Sequence, residues 1–419
     1  MSKFQKVRGM HDVPLDQSSV WSEVIEKITH TLKSYSYSEI RLPIIENTDL
    51  FKRSVGDETD IVNKEMFTFD SKSKKSITLR PEGTAGCMRA SIEQGLLDKG
   101  QQRLFYHGPM YRYERPQKGR NREFYQFSAE AYGNDSVSIE LELIQIVERI
   151  ISYFKISDAS LEINSLGSKE VQDKFSSELV KYLTPLKDKL DDDSKKRLDT
   201  NPLRILDSKI IETQNILINA PKISDFYSHD STEKFKNLKK SLDELGINFQ
   251  VNQNLVRGLD YYNDIVFEWK SETLGSQSTF CAGGRYDSLS KKLGGRDTPA
   301  IGLSFGIDRL ILACKDNFDF AKSKKLAIII LEEDLLNFGA KFSEKLRDVL
   351  PSLEIRFSGL DTNLKSQLKK AVKNKLDFAI IIGREEVESN SFSFKNLSLD
   401  QNQEKLNEKE LISKLKLLI

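Results

Sequence analysis

The residues of this chain best suited to chemistry are arginines set beside aromatics, acids and glycines. Arg257-Gly258-Leu259-Asp260-Tyr261-Tyr262 puts a permanent cation next to two rings, just before a run at 265–269 that reads as a strand. That layout suits a small planar substrate and a phosphate held together. The hexapeptide has company in Arg80-Pro81-Glu82-Gly83-Thr84, Tyr111-Arg112-Tyr113-Glu114-Arg115-Pro116, Gly283-Gly284-Arg285-Tyr286-Asp287 and Gly302-Leu303-Ser304-Phe305-Gly306-Ile307-Asp308-Arg309. Arg112 falls at the end of an expected strand and Arg309 at the start of an expected helix. Each guanidinium stays charged at any working pH and offers a fork of donors that matches phosphate oxygens. Gln126 and Glu130 lie four apart on one expected strand and so face the same side of its sheet. With Glu82, that makes two acids and an amide turned into an otherwise apolar sheet, which is costly unless they meet a ligand.

Several elements must position these groups. Residues 18–35 carry apolar side chains at helical spacing (Val20, Trp21, Val24, Ile25, Ile28, Leu32), followed by a strand-like 39–42 that Pro43 stops. Residues 66–70 and 76–80 read as a hairpin across a Ser/Lys turn, 83–95 as a helix opened by Thr84, and 103–113 and 123–133 as two further strands joined by a basic loop. Strand following strand without intervening helices predicts an antiparallel sheet and excludes a Rossmann-type nucleotide site. From 168 to about 246 the chain turns Lys/Asp/Leu-rich and helical in pattern, which reads as an insertion. A helix is expected from 309 to about 314, and 316–325 is a polar linker. Beyond it strand and helix alternate (326–331, about 335–350, 354–357, 364–374, 378–382), predicting a small α/β domain with a mixed or parallel sheet. The expected fold class is α+β: an antiparallel sheet flanked by helices over 1–322, with the insertion at about 168–246, then an α/β domain over 325–419.

A chain of 419 residues suggests two or three domains, and 38% hydrophobic with 30% charged residues fits a soluble globular protein. No apolar run approaches the ~20 residues that span a bilayer, and the N-terminus has no apolar core of a secretory signal. Three scattered cysteines, Cys87, Cys281 and Cys314, and four histidines argue for a reducing cytoplasm and against a structural zinc or disulfide framework. The net charge of +1 does not announce a nucleic-acid binder, yet a polyanion responds to local patches. Arg112, Arg115, Lys118, Arg120 and Arg122 form one such patch, opposed only by Glu114. Lys365, Lys369, Lys370 and Lys373 share an expected helix.

Together these strings resemble histidyl-tRNA synthetase, a class II aminoacyl-tRNA synthetase, along nearly the whole chain. The resemblance implies the class II fold, a C-terminal anticodon-binding domain, and activation of L-histidine by ATP before transfer to the 3′ end of tRNA-His. In that frame Arg112 binds the α-phosphate, Arg309 holds the γ-phosphate and stacks on adenine, and Glu114 belongs to the ATP site. Gly302 and Gly306 fit a strand that lets the nucleotide approach its backbone. Glu82, Gly83, Thr84 and Gln126 address the amino and carboxylate groups of histidine, while Glu130 and Tyr262 read the imidazole. Tyr261 and Tyr286 line the same pocket. Arg257 is the family's distinguishing arginine, adding charge at the α-phosphate. Arg115 and Gln117 are the candidates for the extra 5′ guanosine of tRNA-His, and Pro43, at the place of the first-motif proline, implies a homodimer. Mg2+ is expected to accompany ATP, with no dedicated protein metal site. The competing reading is a non-catalytic, histidine-sensing regulatory subunit of ATP phosphoribosyltransferase. Such paralogues lack the anticodon domain and depart from the charging motifs, whereas this chain keeps a C-terminal α/β domain and Arg112, Arg257 and Arg309. A pure RNA-binding scaffold leaves the polar pocket residues unexplained.

Overall fold

Period-two alternation on one long hairpin organises the first part of the chain. Gln102–Tyr111 and Glu123–Tyr132 pair antiparallel from end to end. On the second strand Phe127, Ala129 and Ala131 enter one hydrophobic core, which turns Gln126, Ser128 and Glu130 to the opposite face. The same alternation puts Ile301, Leu303 and Phe305 in that core and leaves Gly302, Ser304 and Gly306 beside the polar set.

The computed structural model describes residues 4–419 except 58, 321, 322, 359–362, 398, 400 and 401, with the backbone alone at 276, 277 and 358. The chain forms two compact units, 1–320 and 321–419. In chain order the first contains β1 (Ser38–Glu39), then β2 (Ile45–Asn47), β3 (Phe67–Asp70) and β4 (Ser76–Leu79). It continues with β5 (Gln102–Tyr111), β6 (Glu123–Tyr132), β7 (Ala159–Ser165), β8 (Phe249–Val251), β9 (Asn263–Ser271), β10 (Thr279–Arg285) and β11 (Ala300–Gly306). β2, β4 and β3 make a small antiparallel sheet that contains the expected hairpin. The other eight form the main sheet in the order β1-β5-β6-β11-β10-β9-β7-β8. Its six central strands are antiparallel, as expected, but both edge strands, β1 and β8, pair parallel to their neighbours.

The expected strand at 39–42 shrinks to Ser38–Glu39 for a physical reason. The carbonyls of Leu42 and Pro43 accept Nη1 of the buried Arg80 at 3.2 and 3.4 Å instead of joining a ladder, and Pro43 has no N–H to donate. Helices Leu15–Ser34 and Ser138–Tyr153 cover the core face of the main sheet, packing Val24, Ile28, Leu32, Leu143, Val147 and Ile150 against Phe105, Phe267 and Phe305. Each such side chain contributes about 1.5–3 kcal/mol on burial.

The insertion is helical, with helices Lys169–Leu183, Asp192–Thr200, Ile211–Leu217 and His229–Glu244. Much of it has its own core, including Phe175, Leu179, Leu198 and Ile205. Asp191 knots it together by accepting from the hydroxyls of Ser194, Ser208 and Thr213 at 2.7–2.8 Å. Those donors and the Ser194 N–H hold its carboxyl well below the usual range, against the opposing effect of its own desolvation. The insertion grips the loop after Arg257 directly, since Asn201 Nδ2 donates to Asp260 Oδ1 at 2.8 Å.

The second unit holds β12 (Lys325–Ile330), β13 (Glu354–Ser358), β14 (Phe378–Ile382), β15 (Ser391–Asn396) and β16 (Glu404–Asn407), in the order β13-β12-β14-β15-β16. The first three in that order are parallel and the last two antiparallel, so the sheet is mixed. Helices Leu336–Val349 and Glu408–Leu418 bury one face with Ile328, Ile330, Ile380 and Ile382. Helix Leu364–Lys373 packs near the other face, with Ala327, Ile329, Ala379 and Ile381, leaving Lys365, Lys369, Lys370 and Lys373 exposed. Cover on both faces explains why β12 and β14 read as unbroken apolar runs.

Candidate active site

A cavity of about 230 Å3 opens on the polar face of the main sheet. β6, β10 and β11 form its wall, and the segment after Arg80 and the loop 257–262 close its sides. One end is rich in guanidinium. Arg112 donates Nε to the Pro81 carbonyl at 2.9 Å and lies 5.1 Å over the Phe124 ring. Arg309, two residues into helix Ile307–Cys314, donates Nε to Gly119 O and Nη1 to Thr279 O, both at 2.8 Å. Arg257 pairs through Nη1 with Glu268 and lies 5.7 Å over the Tyr262 ring. Arg120 adds a fourth cation, paired with Glu114. Backbone carbonyls fix Arg112 and Arg309 without neutralising them, so their charge stays directed at the cavity. Burial and the neighbouring Arg120 and Arg112 lower the pKa of Arg309, partly offset by Glu114 and Asp308.

The other end is a layered polar floor. Glu82 accepts the N–H groups of Thr84 and Ala85 at 2.7 and 3.0 Å, capping helix Thr84–Glu93. Tyr261 OH reaches the same carboxylate at 3.5 Å. Glu130 lies behind the cavity surface, 1% exposed. It accepts the hydroxyls of Thr84 at 2.9 Å, Tyr106 at 2.8 Å and Tyr286. Burial dominates its titration and pushes it up to about 8 despite those donors. Burial likewise raises Glu82. The rings of Tyr261, Tyr262 and Tyr286 pack on one another at 4.7–6.3 Å between centroids.

Glycine makes this floor possible at two points. A Cβ on Gly302 would stand 1.8 Å from Glu130 Oε2, and one on Gly83 would stand 2.1 Å from the Tyr106 ring. Gly302 therefore makes room for the Glu130 carboxylate, which corrects the expectation that it admits a nucleotide to the backbone. Gly306 does line the cavity.

Most residues expected from the sequence converge here. Arg112, Glu114, Arg257 and Arg309 line the cationic end, and Glu82, Gly83, Thr84, Gln126, Tyr261 and Tyr262 line the rest. Glu130 and Tyr286 stand one layer behind, and both Glu82 and Glu130 have protein donors. Arg115 and Gln117 are exposed outside the cavity, on a tight turn closed by paired backbone bonds between Gln117 and Arg120 at 2.9 Å. Among residues the sequence did not single out, Tyr106 is the plainest. It sits diagonally across the β5–β6 ladder from Glu130, with Ser128 directly opposite, and only the register reveals that neighbour. Asp308, Thr279 and Ser304 also line the wall. Asp308 had a visible signal in its place beside Arg309.

Residues 9–310 match the family profile described as histidyl-tRNA synthetase, and 325–418 match an anticodon binding domain. A histidine–tRNA ligase of Francisella philomiragia is 45% identical over 417 residues, 99% of this chain and 98% of its own. That of Francisella tularensis subsp. novicida is 47% identical over 418 residues, 99% of each chain. Among solved structures, apo histidyl-tRNA synthetase of Staphylococcus aureus superposes with a TM-score of 0.80 at 32% identity, covering 99% of this chain and 100% of that one. An ATP phosphoribosyltransferase regulatory subunit/histidyl-tRNA synthetase from Bacillus halodurans, at 20% identity, TM-score 0.64 and coverage of 88% and 97%, shares the fold.

Proposed function

The chain belongs to the histidyl-tRNA synthetase family and acts as a histidine–tRNA ligase, and we propose that its cavity performs the activation step with the residues described above. The observation that carries this reading is the convergence of Arg112, Arg257 and Arg309 on one cavity with Gln126 and Tyr262. A regulatory subunit is not favoured, because the ligase relatives match along 99% of the chain, anticodon domain included.

ATP lies with its phosphates among the arginines, Arg112 and Arg257 at the α-phosphate and Arg309 at the γ-phosphate, with Glu114 beside the nucleotide. Histidine lies over the polar floor. Its amino and carboxylate groups meet Glu82, Gly83, Thr84 and Gln126, and Tyr262 meets the imidazole. Glu130 aims the hydroxyls of Thr84, Tyr106 and Tyr286 toward the imidazole. A carboxylate oxygen of histidine attacks the α-phosphorus, the bond to the β-phosphate breaks and pyrophosphate leaves. Alignment and charge neutralisation supply most of the rate, since the transferring group needs little covalent help. A terminal ribose hydroxyl of tRNA then attacks the activated carboxyl carbon, and AMP departs.

Class II synthetases use ATP with Mg2+, which neutralises phosphate charge. The cation enters here as a companion of the nucleotide. The turn bearing Arg115 and Gln117 addresses the acceptor end of tRNA-His: arginine holds phosphate and glutamine reads a base edge. The second unit takes the anticodon. Pro43 and the small β2–β4–β3 sheet belong to a face that joins two copies into a homodimer. Three buried free cysteines suit the cytoplasm, and among the described residues no helix is long and apolar enough to cross a membrane.

ATP–pyrophosphate exchange, run without tRNA and with each amino acid in turn, tests this reading. Exchange with histidine alone is the expected result. No exchange from folded protein would revive the regulatory reading, and exchange with a different amino acid would overturn the specificity.

A further inference from the structure

Two of the arginines at the phosphate end are tied together by a pair of residues with no assigned role. Thr279, at the start of β10, donates its hydroxyl to Glu268 Oε2 at 2.9 Å and accepts Arg309 Nη1 at its carbonyl at 2.8 Å. Glu268 accepts Arg257 Nη1 on its other oxygen. Arg257 and Arg309 are thus joined through Glu268 and Thr279.

Glu268 stands where a sheet would not choose an acid. The β7–β9 register puts it directly opposite Glu162, and like charges facing each other across an antiparallel pair are destabilising. Lys270 relieves that repulsion, with Nζ 2.6 Å from Glu162 Oε2 and 3.8 Å from Glu268 Oε2. Charge then alternates along the line Arg257, Glu268, Lys270, Glu162. Packing gains nothing from a carboxylate at 268, so what it holds explains it. Glu268 does not line the reactive cavity but a neighbouring one of about 400 Å3 beside the insertion, so it acts through another group. It fastens one edge of Arg257 and leaves Nε, buried and without a hydrogen-bond partner among the described residues. An unpaired buried donor is costly, and Arg257 itself lines the reactive cavity.

We propose that Glu268 is a positioning residue for the activation step. It orients Arg257 toward the α-phosphate, Thr279 fixes its second oxygen and couples that orientation to Arg309, and Lys270 takes up its charge as Arg257 turns to the phosphate. The proposal rests on the reading of Arg257 given above.

Glu268→Gln keeps the length and the hydrogen bond to Thr279 while removing the charge. The rate constant of histidine-dependent exchange is expected to fall by about tenfold to hundredfold. The KM for histidine stays within about twofold, and the thermal midpoint stays near that of the parent. Thr279→Val gives a smaller loss of the same pattern. On an Arg257→Ala background, Glu268→Gln makes no further difference, because the group it positions is gone. Full-rate exchange in both Glu268→Gln and Thr279→Val, with Arg257→Ala slow, overturns the positioning role and leaves the reading of Arg257 standing. Full-rate exchange in Arg257→Ala removes the premise itself. Equal losses on both backgrounds with a lowered midpoint would make Glu268 a structural residue only.

Discussion

Arg257 and Glu130 show how differently a buried charge can be used in one site. Arg257 keeps its guanidinium half-engaged, anchored by Glu268 and unpaired at the buried Nε. Arg257→Ala is therefore expected to slow pyrophosphate exchange a hundredfold or more with the fold intact, on the scale of roughly 2.7–4 kcal/mol for one lost donor to developing charge. Near-parental exchange in that variant would refute the assignment. Glu130 is fully engaged, by three hydroxyls, yet its pKa is raised from 4.5 to about 8 by burial. Between those values the folded chain retains a proton that the unfolded chain has released. This group's contribution to stability accordingly falls as pH rises from about 4.5 to about 8 and levels off above. Urea unfolding across that range should show the decline, and Glu130→Gln should flatten it while raising the KM for histidine. An unchanged slope in the variant would move the titration to another group.

At the scale of the element, β11 matters as much for what it omits as for what it carries. Gly302→Ala would drive a methyl into the Glu130 carboxylate. A loss of roughly 1–3 kcal/mol is expected from overpacking, together with weaker histidine binding by titration calorimetry. Unaltered stability and binding would mean the floor adapts freely. Such a clash was not legible in the sequence, because it depends on Gly302 lying opposite Glu130 in the ladder, and register between strands far apart in the chain leaves no local trace. What was legible were elements whose pattern is local: the β5–β6 hairpin, the insertion and the apolar strands of the second unit. The three key arginines stood out through glycines and aromatics next to them. Tyr106, Thr279 and Glu268 did not, since each acts on a partner from another strand or loop. Sequence alone reads Glu130 as an acid that needs a ligand and leaves Glu82 between ligand and helix cap. The structure gives both of them protein donors, which satisfies the buried carboxylates within the fold itself.

At the scale of the whole molecule, the candidate active-site cavity and the anticodon-binding fold fall in different units, 1–320 and 321–419. A chain ended after residue 320 is expected to retain histidine-dependent pyrophosphate exchange while charging of tRNA-His drops by about tenfold or more, as befits the loss of one of two linked binding sites. Equal loss of both activities would show that the second unit supports the first. The placement of the cysteines bears on how such opening events can be watched. Cys87, Cys281 and Cys314 are all free and buried, and all belong to the first unit. Thiol alkylation must then wait for that unit to open, so its labelling rate is a stopwatch for local or global unfolding there. Melting confined to residues 321–419 leaves that stopwatch silent.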